Sequence, residues 1–156
     1  MGNINKTRKD TRLEAEAAEF LVLGRLLLEK ITAYKNYTNH PAYDIIAVNP
    51  EHNLSIRIQV KSRFNTDWDG FIINNFECEF VAFVSLNRGY SRIRKNKDLD
   101  IKDPEFYILP ISYVKKVRDP KNKWGKITKN RLKGIEKYQN RWDLIKQRLK
   151  RKKIKN

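Results

Sequence analysis

Apolar and polar residues alternate most cleanly between Ile56 and Lys61: Ile56, Ile58 and Val60 fall on one side, Arg57, Gln59 and Lys61 on the other. That period of two predicts a half-buried strand. Tyr43–Val48 reads as a second strand. The turn-forming stretch Asn49-Pro50-Glu51-His52-Asn53 between them is of hairpin length, so Asp44 is expected to converge on Gln59 and Lys61. From about Thr11 to Ile31 the residues are strong helix formers. Ala15, Ala18, Val22, Leu26 and Glu29 trace one stripe beside Leu23 and Leu27, which predicts a long half-buried helix. Tyr34–Pro41 reads as an irregular connection, with Pro41 biasing His40 toward an extended backbone.

Further along, Asn65–Gly70 is turn-like and Phe71–Ile73 resumes extended structure. Glu79–Leu86 is almost continuously apolar, the pattern of a strand covered on both faces, and is expected at the centre of the sheet. Phe106–Leu109 forms another strand ended by Pro110, and Ser112–Val117 makes one or two helical turns. Ile135, Tyr138, Trp142, Ile145 and Leu149 recur at helical steps, predicting a helix from about Gly134 to Lys152. Its apolar seam would dock on the rest of the chain or on a second copy.

Composition narrows the class. The chain has 156 residues, 40% of them apolar and 11% aromatic, enough for one folded domain. A single Cys excludes an internal disulfide, and no apolar run reaches the roughly 18 residues a membrane span needs. With no signal peptide pattern and no lipidation motif, a cytoplasmic protein with no membrane partner is expected. The net charge of +16 points to a polyanion, and its distribution points further. Residues 121–156 carry 15 Lys and Arg against Glu136 and Asp143, whereas the first 120 residues are only slightly basic. The organisation read from this is a flexible basic arm over 1–10, a core over 11–120 and a basic extension over 121–156, helical from about 134. Nucleic acid is the polyanion expected.

The candidate chemistry lies on the predicted hairpin. An acid, an amide and an ammonium from Asp44, Gln59 and Lys61 are the groups needed to hold a divalent cation through oxygen and to stabilise charge on a phosphate. The plain alternative is an exposed polar strand face. On the helix, Glu16 and Glu19 are three residues apart and share a side. Glu19 runs directly into Phe20-Leu21-Val22-Leu23, so its carboxylate borders the core and needs a metal or a cation to stay ionised. His40, His52 and Cys78 are too scattered for a zinc site, and Cys78 reads as a packed thiol. Asp67 and Asp69 read as turn residues.

Tyr43-Asp44-Ile45-Ile46 followed by Arg57-Ile58-Gln59-Val60-Lys61, with Glu19 upstream and Phe106–Pro110 downstream, resembles the PD-(D/E)xK nuclease superfamily. The likeness spans about residues 12–117 and is nearest to a homing-endonuclease-type or resolvase-like branch that carries Gln-x-Lys in place of Glu-x-Lys. The sequence departs from the family pattern at Tyr43, where Pro is usual, and at Gln59.

The resemblance implies an α/β, restriction-endonuclease-like fold: a mixed central sheet with the N-terminal helix packed on it, plus the basic C-terminal helix. It implies a metal-dependent DNA endonuclease hydrolysing phosphodiester bonds. Glu19, Asp44, Gln59 and Lys61 would be catalytic, and Asp44, Glu19 and Gln59 would bind Mg2+ or Mn2+. Double-stranded DNA is the partner implied, with a homodimer because one centre per chain must serve two strands. Arg63, Arg88, Arg92, Arg94 and Lys95 are candidate DNA contacts from the strand and the loop after the central strand. Lys129, Arg131, Lys133, Arg141, Lys146 and Arg148 are candidates from the basic extension. Two alternatives stand beside this reading: a catalytically inactive nuclease-like DNA-binding protein, and a basic RNA-binding protein.

Overall fold

The computed structural model describes residues 10–38, 40–90 and 100–150. The expected candidates Arg92, Arg94 and Lys95, and most of the N-terminal arm, lie outside the described residues. Helix α1 spans Arg12–Leu28 and is followed by β1 (Thr32–Lys35), β2 (Ile45–Asn49), β3 (Leu54–Arg63) and β4 (Gly70–Ile72). Then come β5 (Phe80–Ser85), β6 (Glu105–Pro110), α2 (Ile111–Val117), β7 (Lys126–Thr128) and α3 (Trp142–Lys150). Five strands form one mixed sheet in the order β1-β2-β3-β5-β6, while β4 and β7 pair as a separate two-stranded ribbon. Within the large sheet β3 and β5 run parallel and the other neighbours antiparallel.

The sheet separates two apolar clusters. On one side Ala18, Val22 and Leu26 of α1 meet Ile45 and Ala47 of β2, Ile56 and Ile58 of β3, and Trp142, Ile145 and Leu149 of α3. On the other, Val81 and Phe83 of β5 meet Trp68, Phe71, Val114 and Ile127. Every residue of β5 is buried, as its unbroken apolar run requires of a strand covered on both faces. Here the two-residue period of β3 decides the site, because burying Ile56 and Ile58 under α1 turns Gln59 and Lys61 to the opposite face.

Three local expectations change. Strand β1 begins just after the expected helix and its second half, Tyr34 and Lys35, falls in the stretch read as irregular. Its four residues carry no apolar alternation of their own, and the strand is created by pairing with β2, from Thr32 opposite Val48 to Lys35 opposite Ile45. Helix α1 stops at Leu28, three residues early, because Lys30 enters the left-handed region with φ 62°. The expected helix from Gly134 begins only at Trp142. Gly134 and Asn140 both take positive φ, and Ile135–Tyr138 between them winds as a short 3-10 turn.

That break divides the apolar seam. Trp142, Ile145 and Leu149 enter the α1 cluster, whereas Ile135 and Tyr138 pack on the far side of the sheet, with Tyr138 against Tyr113 at 4.7 Å between ring centroids. The seam is therefore satisfied inside the chain, and the option of docking it on a second copy falls away. Asn49 donates from Nδ2 to the Leu149 carbonyl at 3.1 Å, and Lys146 pairs with Glu29 at 3.2 Å, tying α3 to β2 and α1. Among the described residues no helix is long and apolar enough to cross a membrane.

If α3 is part of the core, Trp142→Ala should cost roughly 3–5 kcal/mol of unfolding free energy in a urea titration. A loss under about 1 kcal/mol would mean that α3 rests on the surface.

Candidate active site

Asp44 stands one residue before β2, where three strands meet. Its N–H donates to the Ile58 carbonyl at 2.9 Å, its carbonyl accepts from the Asn36 N–H at 2.7 Å, and its carboxylate Oδ2 accepts from the Val60 N–H at 2.7 Å. The carboxylate is thus fixed against the backbone of β3 at Val60, between Gln59 and Lys61 in the chain. Burial pushes the Asp44 carboxyl above its usual range, a shift that the Val60 N–H, Lys61 and Lys35 only partly offset.

Gln59 is next on β3 after the last registered pair, Ile45 opposite Ile58, and precedes the Val60 whose N–H holds the Asp44 carboxylate. It is 6% exposed. Its Nε2 donates a long 3.5 Å bond to the Pro41 carbonyl, and its buried Oε1 has no hydrogen-bond partner among the described residues. A buried carbonyl-type oxygen left in that state costs free energy unless something donates to it, and a cation or an ordered water is what such an oxygen binds. Lys61, two residues on and on the same strand face, is half-buried. Burial lowers its pKa, and the nearby Asp44 carboxylate works against that shift. Lys61 and Arg63 line a cleft of about 430 Å³ that runs past Thr11 and Ala15 at the start of α1.

Glu19 comes to the site from α1. Its side chain is 19% exposed. Burial raises its pKa, with repulsion from Asp44 and Glu16 adding to the rise and Lys35 opposing it. The Glu19 carboxyl therefore senses the charge of Asp44. Two acids and an amide make an oxygen-rich but charge-poor set. Among the described residues no three His, Cys, Asp or Glu side chains form a group able to hold a metal ion.

Lys35 is the residue that the sequence reading missed. It ends β1 opposite Ile45, and its ammonium pairs with Glu16 and, at 3.1 Å, with Glu19. The ammonium also lies 4.5 Å from the Phe20 ring centre and 5.2 Å from that of Tyr37. Burial alone would lower its pKa, but the bonds to Glu16 and Glu19 outweigh that and raise it. No spacing in the sequence links position 35 to position 19; only the unforeseen strand β1 brings them together.

The candidate DNA contacts divide by what already engages them. Arg63 pairs with Asp69 at 3.3 Å, Arg141 with Asp143 at 2.8 Å, and Lys146 with Glu29. Arg131 donates to the Val117 and Arg118 carbonyls, each at 2.9 Å, capping the end of α2. Lys129 lies 4.5 Å from the Trp68 ring centre. Arg88, Lys133 and Arg148 are exposed. Asp69 does more than shape a turn, since it also binds Lys126 at 2.9 Å and so links β3 to the β4–β7 ribbon. Cys78 is buried, and burial pushes its thiol up to about 11, which makes it a poor nucleophile. His40 accepts the Ala42 N–H at Nδ1 and rests against Tyr43.

The fold has a solved counterpart. A structure of a bacterial homing endonuclease, I-Ssp6803I, superposes with a TM-score of 0.57 over 89% of this chain and 95% of that one, at 15% sequence identity. At that identity the likeness is one of fold: the sheet with its packed N-terminal helix is an architecture this chain shares with that endonuclease. In sequence, no family model and no curated protein matches the chain.

A raised carboxyl pKa has a sign. Because folding favours the protonated form of Asp44, its contribution to stability is complete below the ordinary aspartate range and is lost as pH rises through the raised value. Asp44→Asn keeps an acceptor for the Val60 N–H and removes the buried charge. The variant should melt above the parent at neutral pH, and the difference should vanish in acid; an equal or lower melting temperature at pH 7 would contradict the assignment.

Proposed function

We propose that this chain, built on a fold it shares with a homing endonuclease, is a metal-dependent DNA endonuclease centred on Asp44, Gln59 and Lys61. The observation that carries the reading is a half-buried carboxylate locked to the N–H of Val60 on β3, where the neighbouring Gln59 holds a buried amide oxygen with no hydrogen-bond partner among the described residues and the neighbouring Lys61 a half-buried ammonium. Asp44 and Gln59 would hold Mg2+ or Mn2+ through their oxygens, with Glu19 joining directly or through water. The bound ion supplies water activation and charge neutralisation at the phosphate.

The chain's own groups do the rest. Lys61 stabilises the negative charge that grows on the phosphoryl oxygens, and its fixed position beside Asp44 avoids reorganisation when that charge appears. The Val60 N–H orients the carboxylate. Lys35 restrains the burial-driven protonation of Glu19 and so keeps a second anion near the centre. Gln59 gives the ion a neutral ligand where an acid is usual, so metal affinity is low compared with a three-acid site. DNA is drawn by the net charge of +16. Two copies per duplex belong to this proposal, since one centre cleaves one strand.

The rival reading, a DNA-binding protein without cleavage, is favoured by one observation: Lys35 already engages Glu19 and leaves the centre short of negative charge. A plasmid nicking assay in Mg2+ and in Mn2+ separates the two. Asp44→Ala and Lys61→Ala should each lower the cleavage rate by about 100-fold or more, with DNA binding retained. Gln59→Glu should shift half-maximal activity to lower metal concentration. Cutting that survives both alanine substitutions would remove the centre proposed here, and absence of any cutting beside firm DNA binding would favour the rival.

The pH profile offers an independent check. Activity needs Asp44 and Glu19 ionised and Lys61 charged, while burial raises both acids and lowers the lysine. The rate should therefore climb only above the ordinary carboxylate range and decline before the ordinary lysine range, giving a bell narrower than unperturbed groups would give.

A further inference from the structure

Three tryptophans are present, and they divide sharply. Trp68 and Trp142 are 8% and 2% exposed, but Trp124 is 81% exposed. Its indole stands outside both apolar clusters, in the loop that leads from α2 into β7. The loop is built to hold it there. Asp119 accepts the Lys121 N–H at Oδ1, and Asn122 accepts the Trp124 and Lys126 N–H groups at its own Oδ1, at 3.0 and 3.3 Å. Gly125 donates to the Asn122 carbonyl at 3.2 Å and accepts from the Ile73 N–H at 3.0 Å. Gly125 has φ 71°, and a Cβ there would collide with the Asn74 side chain and the Ile73 carbonyl. The backbone on both sides of the indole is therefore fixed, and little order remains to be gained when something stacks on it.

The surroundings say what that something is. In the chain Lys121 and Lys123 stand on the N-terminal side of Trp124, with Arg118 and Lys126 at the ends of the loop; the loop's own acid is Asp119, and Lys126 is paired with Asp69. Under the same loop, bordered by Gly125, a cleft of about 190 Å³ is lined by Asn74, Phe76, Arg118, Asp119 and Asn122, with the Arg118 guanidinium 5.0 Å over the Phe76 ring. That volume is below the usual range for a drug-sized ligand and suits a single flat heterocycle. Amides and a planar cation on an aromatic ring are groups that hydrogen-bond and stack on bases. The loop also connects physically to the candidate centre, because Lys126 binds Asp69 and Asp69 binds Arg63, two residues beyond Lys61.

We propose that Trp124 is a base-stacking contact that takes an unstacked nucleobase of a nucleic acid held by the surrounding lysines. This rests on the nucleic-acid reading given above, and extends it from backbone charge to a preference for distorted or unpaired sites. Every base offers a flat face, so the contact selects for unstacking and not for sequence.

The test uses the full chain in EDTA, so that binding is measured without cleavage. Two labelled duplexes of about 20 base pairs are compared, one perfect and one with a single central unpaired base. The parent should bind the bulged duplex about tenfold more tightly. Its tryptophan emission should fall on binding, with Trp68 and Trp142 shielded in the core. Trp124→Ala should erase the tenfold advantage and the emission change, whereas Trp124→Phe should keep most of the advantage and lose the emission change. Melting temperatures equal to the parent's would show both variants folded.

If Trp124→Ala binds the bulged duplex as the parent does, the stacking role is overturned while the endonuclease reading stands. That outcome would leave the indole to a protein partner. If the parent binds neither duplex, both fall together.

Discussion

A single hydrogen bond, from the Val60 N–H to the Asp44 carboxylate, sets the geometry on which the rest depends. A carboxylate pulled out of water is costly unless fixed donors or cations replace its hydration. Here one backbone donor and two lysines do so incompletely, and the acid keeps a raised affinity for protons. An incompletely compensated acid is poor for stability. In the reading proposed above it would also be a prepared ligand, because a divalent ion brought to it would relieve the same deficit.

The large sheet serves this one contact. Burying Ile45 and Ala47 of β2 with Ile56 and Ile58 of β3 under α1 fixes the register, and beyond it the Val60 N–H meets the Asp44 carboxylate with Gln59 and Lys61 on either side of Val60 in the chain. Slippage by one residue would turn Gln59 and Lys61 into the α1 cluster. The apolar packing of α1 and α3 is thus what holds the polar groups in place, although none of those apolar residues touches a substrate.

Much of this was legible in the sequence because it rested on local period. The alternation through β3, the turn at Asn49–Asn53 and the continuous apolar run of β5 each identify an element from its own residues. What escaped depends on partners distant in the chain. Thr32–Lys35 becomes a strand only because β2 offers an edge, and with it came Lys35 and its hold on Glu19. The C-terminal seam misled for the opposite reason. Its spacing is helical throughout, but Gly134 and Asn140 take left-handed backbone and send its two halves to opposite sides of the sheet. Apolar spacing reports which residues seek burial, and not whether one continuous helix buries them.

The basic C-terminal region is no detachable arm, since Trp142, Ile145 and Leu149 complete the packing under β3. Grafting residues 121–150 onto another scaffold would transfer their charge while leaving behind the wall that shapes them. Charge and fold are written into the same stretch of chain, so variation that retunes the charge is confined to the outward lysines and to loop tips, and drift at the inward positions is paid for in the whole molecule.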